Sequence, residues 1–182
     1  MDNIDKLIVH GLVVTVDDDD TLIEDGAIAI SGTDIVAIGP FCELSPQYRA
    51  AEVIDATDHI VMPGLINAHT HNGMTLYRGL VDDMPLESWL ETMWKAENQF
   101  VSTDTVKLGA RLAYAEMIRG GTTMSVDMYW HPAASAQAAR EAGFRLMNGP
   151  IFIDFEEAPD RIPVDQRIER GREFLEEYRT TH

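Results

Sequence analysis

Residues 60–71 read IVMPGLINAHTH, an apolar run that ends in two histidines. The part over residues 60–68 is almost continuously apolar and is broken by Pro63-Gly64. This composition is typical of a strand that is buried on both faces of a parallel sheet. The run therefore predicts such a strand, with His69 and His71 at its carboxyl end.

The chain that follows alternates between helix and strand patterns. Residues 102–119 carry apolar side chains at helical spacing, with Ser102 before the first turn and Gly120-Gly121 after the last. Strand, helix, strand and helix are then predicted, in that order, over residues 122–128, 132–142, 144–153 and 165–179. Strands that alternate with helices imply a parallel α/β sheet.

The segment before residue 60 has a different character. Short β-type runs are separated by turn-forming residues and predict a small sheet; they lie at residues 7–9, 12–16, 27–30 and 35–38. The acidic run Asp17–Asp20 lacks the alternating ligand spacing of a calcium loop, so we expect a solvated turn there.

The length of the chain limits its fold. A complete (β/α)₈ barrel takes about 250 residues, whereas this chain has 182. Only three strand-helix units follow the N-terminal sheet. The pattern therefore fits either a small open α/β sheet or the first part of a barrel.

The charge of the chain restricts its partners. It has 31 Asp and Glu against 14 Lys and Arg, a formal net charge of −17. A polyanion would be repelled, so neither nucleic acid nor an anionic membrane is an expected partner. The composition fits an ordinary acidic protein or one adapted to high salt. An acidic N-terminus and short apolar stretches indicate neither a signal peptide nor a membrane span, and predict a cytoplasmic location.

The histidine pair is the main candidate for chemistry. Side chains two residues apart on a strand point to the same face, so the imidazoles of His69 and His71 can bind one metal ion. Barrel enzymes build their active sites at the carboxyl ends of the strands, where this pair lies. Cys42 is the one cysteine, which leaves histidine and carboxylate as metal ligands. A bare pair of nearby histidines is also compatible with an ordinary loop.

Several separated motifs resemble the amidohydrolase superfamily. Besides VMPGLINAHTH at 61–71, they are MTLYRGL at 74–80, GGTT at 120–123 and VDMY at 126–129. Their order is similar to that of the branch that holds 5-methylthioadenosine/S-adenosylhomocysteine deaminases and triazine chlorohydrolases. The resemblance implies an α/β fold, an incomplete (β/α)₈ TIM barrel preceded by a β-sandwich segment. Residues 1–60 would be the N-terminal part of the sandwich, and residues 61–182 the first three strand-helix units of the barrel.

The resemblance also implies a function and site residues. The family's metal pair maps onto His69 and His71, which would bind one divalent ion, zinc. A substrate-binding glutamate maps onto Glu97, although the interval from Trp89 is one residue short; a surface carboxylate is the alternative. The implied reaction is hydrolysis of a non-peptide C–N bond, most simply deamination of an adenosine-like aminoheterocycle. Pro150 stands where some of these deaminases have arginine, which weakens the assignment to thioadenosine and homocysteine substrates.

The remaining catalytic groups are expected outside this segment. A catalytic zinc site needs three protein ligands, and in the resembling enzymes the others come from later strands. We therefore expect no catalytic residue here and no activity from these 182 residues alone. A chlorohydrolase or guanine deaminase of the same branch, and a non-catalytic binding module, remain alternatives. The expected partner is a small heterocyclic amine, and assembly into a homo-oligomer is left open.

Three further polar or aromatic residues have simpler interpretations. Asp127, within a predicted strand, is expected to be a hydrogen-bonded structural carboxylate. His131 precedes a helix-starting proline and is expected in a loop or helix cap. Trp130 fits either a heterocycle site or the core.

Overall fold

The computed structural model describes residues 1–153 and 162–179. The chain is a mixed α/β structure and divides into two compact units, Met1–Pro63 and Gly64–His182.

The first unit is a five-stranded sheet with one short helix. Its strands follow the order β3-β2-β1-β4, and β5 also pairs with β1. Strand β1 is antiparallel to β2 and parallel to β4 and β5. The elements are β1 (Asp2–Val14), β2 (Leu22–Ser31), β3 (Asp34–Pro40), α1 (Phe41–Leu44), β4 (Tyr48–Asp55) and β5 (Ile60–Val61).

The core of this unit is formed by apolar residues of β1, β2 and α1. The cluster consists of Ile4, Leu7, Val9, Ala27, Ala29 and Leu44. The acidic run forms the predicted turn between β1 and β2, where Asp17 Oδ1 accepts a hydrogen bond from the Thr21 N–H.

The second unit contains a three-stranded parallel sheet in the order β6-β7-β8. A 3-10 helix, α2 and α3 lie between β6 and β7 along the chain, and α4 connects β7 to β8. The elements are β6 (Leu65–Thr70), a 3-10 helix (Asn72–Tyr77), α2 (Leu86–Phe100), α3 (Thr103–Arg119), β7 (Thr122–Met128), α4 (Pro132–Ala142), β8 (Arg145–Gly149) and α5 (Val164–Tyr178).

Local signals explain where α3 and α4 begin and end. Ser102 and Thr105 form reciprocal side-chain to backbone hydrogen bonds at the start of α3. Helix α4 begins with Pro132 and ends before Gly143, whose φ of 66° is the left-handed conformation that glycine adopts freely. The predicted strand over 122–128 and helix over 132–142 are confirmed.

Two glycines bring the turn after β6 close to α3. A Cβ on Gly109 would lie 2.4 Å from the carbonyl oxygen of Gly73, and a Cβ on Gly73 would lie 2.6 Å from the Tyr129 ring. Neither distance is compatible with a side chain. The 3-10 helix that follows the histidine pair is therefore held against α3 by a backbone contact.

Several predicted element boundaries are wrong. The run over 60–68 is not one strand, because β5 pairs with β1 while β6 pairs with β7, with Pro63-Gly64 between them. Nor is β6 buried on both faces: residues 65–69 are exposed, since β6 is the edge strand of the sheet. The strand predicted over 144–153 ends at Gly149.

Within residues 1–153 and 162–179, no helix has both the length and the apolar character that crossing a membrane requires.

Candidate metal centre

The two histidines lie together where β6 ends. His69 is the penultimate residue of β6, and His71 directly precedes the 3-10 helix. Their ring centroids are 4.9 Å apart and the rings are nearly perpendicular, at 77°. The two imidazoles thus lie side by side, as the spacing of two residues predicts.

The His71 ring is fixed by the neighbouring strand. Its Nδ1 lies 2.6 Å from the carbonyl oxygen of Met128, the last residue of β7. A carbonyl oxygen only accepts hydrogen bonds, so Nδ1 carries the hydrogen, and the lone pair of the neutral ring is on Nε2. Histidine ligands of metals commonly donate their second ring N–H to a carbonyl in this way.

The surroundings of His69 are more open. His69 is exposed, and its backbone N–H donates to Asn67 Oδ1 at 3.3 Å. Among the residues that the structure describes, no three His, Cys, Asp or Glu side chains are grouped so as to hold a metal ion. The donor chemistry of the pair fits a divalent ion such as zinc, but a catalytic zinc site needs a third protein ligand.

Asp127 lies beneath the histidine pair and is 2% exposed. Its Oδ1 accepts a hydrogen bond from the Asn72 N–H at 2.8 Å and lies 3.3 Å from the Thr70 hydroxyl, which is closer to the Val126 carbonyl oxygen, at 3.0 Å. Burial raises the pKa of Asp127, and the bond from the Asn72 N–H opposes that shift. The prediction of a hydrogen-bonded carboxylate is confirmed.

Glu97 is buried, at 4% exposure, on α2. Its Oε1 accepts from the Tyr129 hydroxyl at 2.6 Å, and its Oε2 accepts from the Trp130 indole N–H at 3.3 Å. Burial raises the pKa of Glu97, while these two hydrogen bonds lower it. The alternative of an exposed surface carboxylate is wrong, because α2 places this side chain against residues that follow β7.

Tyr129 lies between the histidine pair and Glu97. Its ring centroid is 6.4 Å from that of His71, and its hydroxyl is bonded to Glu97. Desolvation and the neighbouring Glu97 raise the pKa of Tyr129, so its hydroxyl remains a donor at neutral pH. Tyr129 was missed as a site residue, although its position directly after β7 is a signal that could have found it.

The other two candidates have structural surroundings. His131 is the N-cap residue of α4, and its Nδ1 is 3.4 Å from the Thr103 hydroxyl, so the predicted cap position is confirmed. Trp130 is buried in a cluster with Val106, Tyr129 and Ala134. Its indole N–H is the part that reaches the candidate site.

Comparisons of the sequence and the structure with known proteins agree on one family. A sequence model described as the amidohydrolase family matches residues 60–181. The 5-methylthioadenosine/S-adenosylhomocysteine deaminase of Syntrophobacter fumaroxidans is 41% identical over 175 residues, which are 96% of this chain and 40% of the relative.

Solved structures with the same fold include two hydrolases. An adenosine deaminase from Xanthomonas campestris, with bound zinc, superposes with a TM-score of 0.91 at 36% identity over 99% of this chain and 41% of that one. A triazine hydrolase from Arthrobacter aurescens gives a TM-score of 0.84 at 25% identity over 95% and 42% of the two chains. The chain therefore spans only about 40% of the length of the curated relative described above.

Proposed function

This chain belongs to the amidohydrolase family, and from that premise we propose that the whole protein is a metal-dependent hydrolase that deaminates an adenosine-like or related aminoheterocycle. The observation that carries the proposal is the His69–His71 pair, in which the Met128 carbonyl leaves Nε2 of His71 available to a metal ion. The similar proteins that are named deaminases support ammonia as the leaving group.

The proposed architecture is the first part of a (β/α)₈ barrel. Residues 1–60 would be the N-terminal part of a β-sandwich, and residues 61–182 would supply the first three strand-helix units. The parallel order β6-β7-β8 and the exposed edge strand β6 support this assignment, because further parallel strands would pair with the edges of the sheet.

We propose His69 and His71 as two ligands of one zinc ion. When bound, zinc supplies a water whose pKa falls to about 7. The described residues contribute binding and orientation: Met128 holds the His71 ring, and Glu97 is held by Tyr129 and Trp130. No catalytic residue is assigned within this segment, so the 182-residue chain alone is proposed to be inactive.

Glu97 is proposed to bind the substrate. Each carboxylate oxygen can accept more than one hydrogen bond, so the bonds from Tyr129 and Trp130 leave acceptor capacity for a substrate hydroxyl or amine. The two protein donors fix the direction of the carboxylate before substrate arrives. A fixed acceptor loses little conformational freedom on binding.

The metal assignment can be tested on the chain itself by zinc titration calorimetry. Wild type should bind one zinc ion weakly, and His69→Ala or His71→Ala should abolish the binding because each removes half of the ligand set. His59→Ala, an exposed histidine of the first unit, is the matched control and should bind as wild type does. Unchanged binding after loss of both histidines of the pair would contradict the assignment.

The reaction can be tested in a chimera. Residues 1–182 would replace the matching segment of the Syntrophobacter fumaroxidans deaminase, and ammonia and chloride release would be measured on adenosine derivatives, guanine and chlorotriazines. We expect ammonia from an adenosine-like substrate and none from the 182-residue chain alone. A folded, zinc-loaded chimera that releases neither product would contradict an enzymatic role and favour the binding module.

The same chimera tests Glu97. Glu97→Gln should lower kcat/KM by roughly 10- to 100-fold, since a hydrogen bond to a charged group contributes about 1.5–3 kcal/mol. Glu91→Gln changes an exposed carboxylate on the same helix and should leave kcat/KM unaltered. Equal effects of the two substitutions would remove Glu97 from the substrate site.

A chlorohydrolase is the second candidate, supported by the similarity to a triazine hydrolase. Chloride release without ammonia from the chimera would favour it, and ammonia from guanine would favour the guanine deaminase alternative. A heterocyclic amine as partner, a homo-oligomeric assembly and a cytoplasmic location stay predictions.

A further inference from the structure

The residues on both sides of His71 are bound to one side chain. Asp127 Oδ1 accepts the backbone N–H of Asn72 at 2.8 Å, and the Thr70 hydroxyl lies 3.3 Å from the same oxygen and 3.0 Å from the Val126 carbonyl oxygen. Thr70 and Asp127 are also partners in the register of β6 and β7. Asp127 thus holds the backbone directly after His71, and the Thr70 side chain directly before His71 is shared between Asp127 and the adjacent carbonyl of β7.

The next residue of the same strand holds the His71 ring itself. Met128 follows Asp127 in β7, and its carbonyl oxygen accepts the Nδ1–H of His71 at 2.6 Å. Two consecutive residues of β7 therefore fix the backbone and the imidazole of one histidine. A hydrogen bond of this length is lost when its atoms separate by about 1 Å, so the ring orientation depends on the position of residues 70–72 relative to β7.

The side chain of Asn72 strengthens this attachment. Its Nδ2 lies 3.3 Å from Ser125 Oγ and 3.4 Å from the Tyr114 hydroxyl oxygen, and Tyr114 in turn donates to the Ser135 carbonyl at 3.2 Å. Asn72 and Ser125 are buried. The segment after His71 is thus fixed to β7 through both its backbone and its side chain.

We propose that Asp127 is a positioning residue that fixes residues 70–72 against β7 and so keeps His71 with its hydrogen on Nδ1 and its lone pair on Nε2. This proposal rests on the proposed role of His71 in metal binding. The negative charge of an ionised Asp127 also favours a cation at the His71 ring, because opposite charges attract strongly where water is excluded.

The test measures the tautomer of His71 and the zinc affinity in the 182-residue chain. Nitrogen-15 NMR of the imidazole, at a pH above the usual titration range of histidine, reports the tautomer without any metal. Asp127→Ala should convert the single Nδ1–H form into a mixture and weaken zinc binding by roughly 10- to 100-fold, the usual effect of losing a residue that orients a ligand. Asp104→Asn removes an exposed carboxylate from the first turn of α3 and should change neither quantity.

Two more conservative substitutions test the same proposal if Asp127→Ala does not fold. Asp127→Asn keeps an oxygen acceptor and should retain the Nδ1–H form while weakening zinc binding a few-fold through loss of charge. Thr70→Val removes the hydroxyl that contacts both Asp127 and the Val126 carbonyl and should give at most a partial loss of the Nδ1–H form. A folded Asp127→Ala variant with the wild-type tautomer, or an Asp127→Asn variant with unaltered zinc affinity, would overturn the proposal.

The two readouts separate this inference from the proposed function. If wild type fails to bind zinc, the metal assignment of the pair fails, while the tautomer still decides the role of Asp127. If wild type binds zinc and Asp127→Ala binds it equally well, the metal assignment stands and Asp127 is not a positioning residue.

Discussion

The central strand of the first unit and the edge strand β6 of the second differ in how completely their apolar side chains are covered. In the first unit, Val13 on the central strand β1 is 2% exposed. In the second unit, Ile66 on the edge strand β6 is 64% exposed. Apolar side chains at such an edge gain no burial energy until further structure covers them. The central strand of the first unit is therefore covered, whereas edge strands are exposed in both units, as Val53 of β4, 61% exposed, shows for the first.

The polar end of the second sheet is nevertheless well ordered. Ser125 and Asp127 of β7 are buried, and they contact Asn72 directly after His71. The contacts that hold His71 thus come from β7 and α3, which the chain already contains. The comparison indicates that the backbone next to His71 is hydrogen-bonded within the unit although the apolar surface of β6 is exposed.

The largest expected effect is on the contact between α3 and the turn after β6. Gly109→Ala should destabilise the second unit by about 3 kcal/mol, the upper range for inserting a group into a packed region, because the new Cβ would meet the Gly73 carbonyl. Urea unfolding followed by tryptophan fluorescence measures this unit, since Trp89, Trp94 and Trp130 all belong to it. Gly120→Ala, at the end of the same helix with φ of −86°, is the control and should cost little.

A matched pair of core and edge truncations tests the comparison directly. Val13→Ala should destabilise the first unit by about 2 kcal/mol, as measured by hydrogen exchange of its strand amides. Ile66→Ala should change the stability of the second unit by less than about 0.5 kcal/mol. In the chimera with the remaining strands, the cost of Ile66→Ala should rise; an equal cost in both settings would contradict the incomplete barrel.

Removal of the buried Tyr114 hydroxyl should have a smaller effect on stability. Tyr114→Phe should destabilise the second unit by about 1 kcal/mol, because it removes the bonds to Asn72 and to the Ser135 carbonyl. Tyr48→Phe in the first unit should leave the tryptophan-detected transition unchanged. A null result for Tyr114→Phe would show that the attachment of Asn72 does not depend on that hydroxyl.

The smallest effects are differences in pH dependence, and they have opposite signs in the two units. Burial raises the pKa of Glu97 in the folded state. Its contribution to stability is therefore fully present below its pKa in the unfolded chain, about 4.3, and is lost as pH rises through its pKa in the folded state. The pKa of Asp55 is lowered by hydrogen bonds from Thr57, so its contribution is present above the unfolded value and is lost as pH falls through the folded one.

Single substitutions isolate these two groups. Relative to wild type, Glu97→Gln should give a second unit whose stability falls less as pH rises, and Asp55→Asn a first unit whose stability falls less on acidification. Denaturant midpoints measured across the acidic pH range give the change of stability with pH for each unit. Slopes of the same sign for both groups would be inconsistent with a buried Glu97.

Helices with local end signals were the most predictable elements. The proline at the start of α4 and the glycine after it define that helix without knowledge of its neighbours. Helix α2 was not predicted: its apolar residues recur at helical spacing, but it has no side-chain cap at Pro85 and no glycine after Phe100. The burial of Glu97 depends on Tyr129 and Trp130, more than 30 residues away along the chain.

The sequence by itself determined the alternation of strands and helices, the family, and the placement of His69 and His71 side by side, because capping and side-chain periodicity are local properties. Only the tertiary structure decided which of these residues are covered and bonded. The exposure of β6 follows from its place at the edge of a sheet. The tautomer of His71 and the hydrogen bond from Asn72 to Asp127 follow from the register of β7 against β6. This register is irregular between Asn67 and Thr70. Burial and hydrogen-bond partners are set by neighbours distant in the chain, and a local pattern does not encode them.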